Sequence, residues 1–158
     1  EGTSVEKTDK VFATFREYYA THSRVKTSMY EGMEQVMDAL KEQNISMAIV
    51  SNKADDAVKD LAKYYFAKYI DVAIGEREGI SRKPAPDSVY EAMRLLGATK
   101  ENTVYVGDSD VDRATAKNAG IPCISVTWGF RSEELLVSLE PEYLIHKPEE
   151  ILSVVTGK

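Results

Sequence analysis

Apolar positions along this 158-residue chain follow two rhythms. Over residues 5–21, Val11, Phe12, Phe15, Tyr18 and Tyr19 recur at helical spacing and predict a helix. The stretch Ser23–Tyr30 breaks that pattern and reads as a linker. A second helix is predicted over 31–43, where Met33, Val36, Met37 and Leu40 share one face and Asn44 is placed to end it. Beyond that point short apolar runs suited to buried strands, at 45–50, 71–74, 103–106, 122–126 and 143–145, alternate with helical stretches at 54–65, 86–96, 110–119, 132–139 and 148–155. Gly75 is expected to close the second of these runs, Pro86 to open the helix that follows, and Gly97 and Gly120 to cap two helices.

Strands alternating with helices of this length form βα units. The predicted fold class is therefore α/β, a Rossmann-like three-layer arrangement with a mostly parallel sheet covered on both faces. Ligands of such sheets bind beyond the carboxyl ends of the strands. Polar clusters just after strands are the candidates for chemistry.

Composition narrows the partners. With 43% hydrophobic residues the chain can bury a core without staples. Lys+Arg minus Asp+Glu is 20 − 26 = −6, which argues against nucleic acid as a partner, since that needs a basic face. The same balance suits a cytoplasmic protein that recruits a cation locally. No apolar run approaches the roughly 18–20 residues of a membrane span, so no membrane partner is expected. The single cysteine, Cys123, lies in an apolar run and reads as a buried structural thiol. His22 and His146 lie near no motif, and Trp128 is expected to pack a loop. Glu1–Lys7 has neither a signal pattern nor an initiator methionine, and is read as not being a natural N-terminus.

Three clusters remain. Ser51-Asn52-Lys53 follows the first strand run, where a hydroxyl and the free N–H groups of a helix start can hold a phosphate; equally, Ser51 or Asn52 can simply cap that helix. Arg82-Lys83-Pro84-Ala85-Pro86 holds Lys83 on a restrained backbone before proline, able to aim its ammonium at an anion or to sit solvated on a loop. Asp108, Asp110 and Asp112 follow the run Thr103-Val104-Tyr105-Val106. Asp108 and Asp112 are four apart, where like charges repel unless a hard divalent cation offsets them; Mg2+ takes oxygen ligands and keeps several waters. Asp110 can face solvent or the helix dipole, and the whole cluster can be ordinary helix-start enrichment in aspartate.

Val50-Ser51-Asn52-Lys53, Lys83-Pro84-Ala85-Pro86 and Val106-Gly107-Asp108-Ser109-Asp110-Val111-Asp112 resemble, in this order, three motifs of the haloacid dehalogenase superfamily. Asn118-Ala119-Gly120 and Val126-Thr127-Trp128-Gly129-Phe130 resemble its phosphoglycolate phosphatase-like branch, and the resemblance runs from about Tyr30 to Ile151. It implies that Ser51 and Asn52 donate to a transferring phosphoryl group and that Lys83 neutralises its charge. It implies Mg2+ as cofactor, with Asp108 a direct ligand and Asp112 holding a metal water or an outer position. The substrate implied is a small phosphorylated metabolite. The family's first motif, a strand ending in Asp-x-Asp whose first carboxylate attacks phosphorus, is missing from the chain.

Residues 1–28 are accordingly expected to be the end of a helical cap and its linker, and 29–158 the α/β core without its first strand. That strand would lie between the runs at 45–50 and 103–106. A second polypeptide, a rearranged sheet or an N-terminal segment beyond these residues are the ways to fill the gap. The expectation is a phosphomonoesterase whose nucleophile lies outside this chain, which alone is inactive. A dehalogenase, a pyrophosphatase, a phosphosugar mutase and a non-catalytic anion-binding module are the rivals.

Overall fold

A computed structural model describes residues 4–22 and 24–157. Helix α1 (Val5–His22) precedes α2 (Met33–Glu42), β1 (Met47–Ala54), α3 (Asp55–Phe66), β2 (Ile70–Glu76), α4 (Asp87–Leu96) and β3 (Tyr105–Gly107). The chain continues through α5 (Asp110–Ala119), β4 (Cys123–Val126), α6 (Glu133–Ser138), β5 (Tyr143–Ile145) and α7 (Glu150–Thr156). Every predicted helix and strand is present. Gly97 and Gly120 end α4 and α5 in the left-handed conformation, with φ of 65° and 74°.

All strand pairs are parallel, so the α/β class holds. Alternation along β4 shows how both faces are covered. Cys123 joins Val89, Met93, Tyr105, Ala116 and Ala119 beneath α4 and α5. Its neighbour Ile124 points the other way, into a cluster with Val36, Leu40, Ile145 and Ile151 beneath α2 and α7. Burial pushes the Cys123 thiol up to about 11, consistent with the inert role expected of it.

The strands form two groups rather than one continuous sheet. β1 pairs with β2, and β3–β4–β5 form the other group, with no ladder between β1 and β3. A cavity of about 680 Å³ separates them, lined by Met47, Ile49, Val50, Val104, Tyr105 and Val106 among others. Val106 is consequently 43% exposed although it sits in the middle of a strand.

Two boundaries differ from expectation, both near the candidate chemistry. β1 continues through Ser51-Asn52-Lys53 to Ala54, and its register against β2 shifts between Val50 and Ala54. The bulge is pinned by Asp55, whose Oδ1 accepts the Gly75 N–H at 2.9 Å. Gly75 itself lies inside β2 instead of closing it. A Cβ there would stand 2.5 Å from Asp55 Cα and 2.6 Å from the Lys53 carbonyl oxygen, so only glycine lets the bulge close on β2. The N-cap of α3 is Ala54, with no side-chain cap, so neither Ser51 nor Asn52 caps that helix.

α1 carries an exposed apolar face. Val11, Phe15 and Tyr18 are each more than half exposed, as is Tyr64 on α3. The linker after α1 is tied to α3: Arg24 pairs with Asp60 at 2.6 Å, and the Tyr65 hydroxyl donates to the Thr27 carbonyl at 2.8 Å.

Gly75→Ala is expected to lower stability by about 1–3 kcal/mol, because the atoms it meets are backbone and cannot turn aside. Urea unfolding against the parent chain measures this.

Candidate active site

The candidate residues converge at the carboxyl ends of β1 and β3. The link between the two strand groups is Asn52. Its carboxamide oxygen accepts the Lys83 N–H at 2.8 Å and its amide donates to the Lys83 carbonyl at 3.1 Å. Both backbone groups of Lys83 are thereby fixed to the end of β1. Asn118 on α5 holds the next carbonyl, donating to Pro84 O at 2.9 Å. Lys83 therefore reaches the site from a backbone clamped on both sides; the Lys83–Pro84 peptide bond is cis.

The Lys83 ammonium donates to Asp112 Oδ1 at 2.7 Å and to the Tyr105 hydroxyl at 3.1 Å. Both partners of the Lys83–Asp112 pair are largely buried, with side chains 13% and 10% exposed. Tyr105 completes a triangle by donating its hydroxyl to Asp112 Oδ1 at 2.9 Å. The other carboxylate oxygen, Oδ2, accepts from the Ser109 hydroxyl at 2.6 Å and the Asp108 N–H at 3.3 Å. Asp112 thus spends both oxygens on protein donors.

Gly107 makes this geometry possible. A Cβ at Gly107 would fall on the Asp112 side chain, with Cγ only 2.6 Å away. The first turn of α5 can therefore fold its carboxylate back against the end of β3. Ser109 caps that helix, its Oγ accepting the Asp112 N–H at 3.2 Å.

Burial by itself would raise the Asp112 carboxyl. The Lys83 ammonium, with the Ser109 and Tyr105 hydroxyls, outweighs it and holds the carboxyl below its ordinary range. Tyr105 moves the other way: burial first, then the Asp112 charge, keeps its hydroxyl protonated and able to donate.

Asp108 is held differently. The Phe130 N–H donates to its Oδ2 at 2.7 Å, while Gly129 leaves the space its carboxylate occupies, since a Cβ there would come within 2.6 Å of Cγ. No protein donor engages Asp108 Oδ1 among the described residues. Asp110 turns outward to Arg131, at 2.8 Å. Ser51 lies on the β1 bulge, where its Oγ accepts the Lys53 N–H at 3.1 Å and its own hydrogen is left to donate elsewhere.

Lys83, Asp108, Asp112 and Asn52 are thus joined in one hydrogen-bonded cluster, with Ser51 beside it through the chain. Three participants were not anticipated. Tyr105 was read only as part of an apolar run, yet a tyrosine in a buried strand needs a partner for its hydroxyl, and Gly107 shares its face two residues on. Ser109 carries the ordinary signal of an N-cap. The Gly129-Phe130 loop comes from 22 residues away, and its family resemblance assigned it no role.

The two aspartates differ in what they leave for a cation. Asp108 offers an uncommitted oxygen and Asp112 does not. Among the described residues no group of three His, Cys, Asp or Glu side chains is arranged to hold a metal ion. Such a donor set cannot enclose Mg2+ by itself.

Residues 2–126 match the family model for haloacid dehalogenase-like hydrolases. The chain belongs to that family. Pyrophosphatase PpaX of Halalkalibacterium halodurans is 30% identical over 154 residues, which are 97% of this chain and 72% of that protein. A protein of Caldanaerobacter subterraneus provisionally named pyrophosphatase PpaX is 32% identical over 155 residues, 98% of this chain and 70% of its own. A crystal structure from Lactobacillus delbrueckii, provisionally named a phosphoglycolate phosphatase, superposes with a TM-score of 0.93 at 35% identity, covering 98% of this chain. The chain spans 65% of the length of that structure, so it corresponds to a part of this family member.

Asp112→Asn should cost about 3–5 kcal/mol, because it leaves the Lys83 ammonium buried without its charge partner. The sign with pH follows from the lowered carboxyl. Its contribution is complete above the ordinary carboxylate range and is lost as pH falls through the lowered folded value. The parent chain should therefore lose more stability on acidification than Asp112→Asn does, read as Tm against pH.

Proposed function

We propose that the protein is a Mg2+-dependent phosphomonoester hydrolase acting through an aspartyl-phosphate, with the attacking carboxylate supplied by polypeptide outside these residues. The observation that carries this reading is the Lys83 ammonium, buried beside Asp112 and Tyr105 at the strand ends and aimed by a clamped backbone. Phosphoryl transfer asks the protein mostly to position groups and neutralise charge, and that arrangement does both. A carboxylate oxygen would bond to phosphorus as the P–O ester bond breaks, the leaving oxygen taking a proton from a second carboxyl group of that outside polypeptide. Water would then attack phosphorus, returning a proton to the same group, and the acyl-phosphate P–O bond would break to release orthophosphate and regenerate the carboxylate.

Each described residue has a part in that scheme. The Ser51 hydroxyl donates to a phosphoryl oxygen. Lys83 neutralises charge that develops on the phosphoryl group and the nucleophile. Asn52 acts through its side chain, which fixes the backbone of Lys83. Asp108 Oδ1 is the oxygen this chain offers to Mg2+, which when bound would draw charge from the phosphoryl oxygens. Asp112 serves by positioning Lys83 and ordering the Asp108 backbone. The cavity between β1 and β3 suits one further parallel strand, whose end would bring a carboxylate opposite Asp108. α1 and its linker are the end of a cap.

The substrate is a small phosphorylated metabolite met in the cytoplasm, with no nucleic acid or membrane involved; no described helix is long and apolar enough to cross a membrane. The branch motifs favour phosphoglycolate. Pyrophosphate is the second reading, favoured by the names of the sequence relatives.

Residues 1–158 alone should show no turnover of p-nitrophenyl phosphate. The same residues behind a strand ending in an aspartate should hydrolyse it with Mg2+, and Lys83→Ala should cut kcat by about 10²-fold or more. Turnover by 1–158 itself, abolished in Asp108→Ala, would contradict an external nucleophile. Phosphate binding without turnover in the longer polypeptide would identify a non-catalytic module.

A further inference from the structure

We infer that Lys53 receives a second anionic group of the substrate, so that the compound accepted here carries negative charge on both sides of the bond that breaks. The inference rests on the phosphoryl-transfer reading above and narrows its substrate class to a diphosphate or a phosphorylated carboxylate.

The cations around the site are nearly all neutralised. Lys83 has Asp112, Arg131 has Asp110, Arg82 has Glu76, Lys59 has Asp55, and Arg77 has Asp55 and Glu91. Lys53 differs from them: among the described residues no carboxylate lies within ion-pair distance of it. Its ammonium instead stands 5.3 Å from the centre of the Tyr19 ring on α1, and the residue is exposed. An aromatic face attracts a cation without using its N–H donors. The Lys53 ammonium therefore lies toward α1 with its N–H donors left to give.

Its backbone ties it to the phosphoryl position. The Lys53 N–H donates to Ser51 Oγ at 3.1 Å, and the two residues share the bulge that Gly75 admits. A group held by Ser51 and Lys83 thus has Lys53 as the next cation along the chain, on the side facing α1. Orthophosphate can use only the first position. A molecule with a second anion can use both.

Isothermal titration of the chain with orthophosphate, pyrophosphate and phosphoglycolate at low ionic strength tests this. The two-anion ligands are expected to bind about tenfold tighter than orthophosphate, the size of one charge-assisted hydrogen bond. Lys53→Gln should abolish that preference and Lys53→Arg should restore it. Preference for pyrophosphate alone would identify the second group as a phosphoryl, and preference for phosphoglycolate alone as a carboxylate. Equal affinity for all three ligands, or a preference that persists in Lys53→Gln, would overturn the inference while leaving the phosphoryl site standing. Absence of binding by all three, or binding undiminished in Lys83→Ala, would overturn the phosphoryl reading and the inference with it.

Discussion

An ammonium group taken out of water must find its compensation within the protein, and at Lys83 the compensation is Asp112. Much of the local structure follows from that requirement. Asp112 has to fold back onto the end of β3, so residue 107 must be glycine. Its second oxygen needs donors, which Ser109 and the Asp108 backbone provide. Tyr105 fills the remaining corner from beneath. With Asn52 fixing the Lys83 backbone, the end of β1, the loop before α4 and the start of α5 become one cluster, although no ladder joins β1 to β3.

That cluster explains how a divided sheet still presents a single site. The two strand groups are separated by an apolar cavity, yet their carboxyl ends are bridged by polar contacts of 2.7–3.1 Å. Charge is distributed unevenly across the bridge. Lys83 and Asp112 largely neutralise each other. Asp108 keeps one oxygen uncommitted, and Ser51 keeps its hydroxyl hydrogen. Among the described residues these are the two groups that the cluster leaves uncommitted.

Much of this was legible in the residues, and what was not has physical reasons. The apolar run at 122–126 and the glycines after α4 and α5 are local signals, and they were read correctly. Ser51-Asn52-Lys53 has the composition of a turn, but Asp55 and Gly75 draw it into β1; that depends on a contact 20 residues distant. The spacing of Asp108 and Asp112 suits a shared cation and a lysine partner equally well. Only the arrival of Lys83, 29 residues earlier in the chain, distinguishes them. Tyr105 was hidden by its own apolar ring, which counts toward a strand while its hydroxyl does the organising. The place of Gly129 is visible only once Asp108 is seen resting against it.

Ser51 and Lys83 are proposed to face one oxyanion position, with Asp108 beside it as the carboxylate offered to Mg2+. Backbone amide shifts of the isotopically labelled chain, titrated with orthophosphate, test it most directly. The largest changes are expected on residues 51–53, on Lys83 and on Asp108–Ser109, saturating with a single affinity. Changes centred elsewhere, or residues 51–53 and 108–109 saturating at different concentrations, would contradict it.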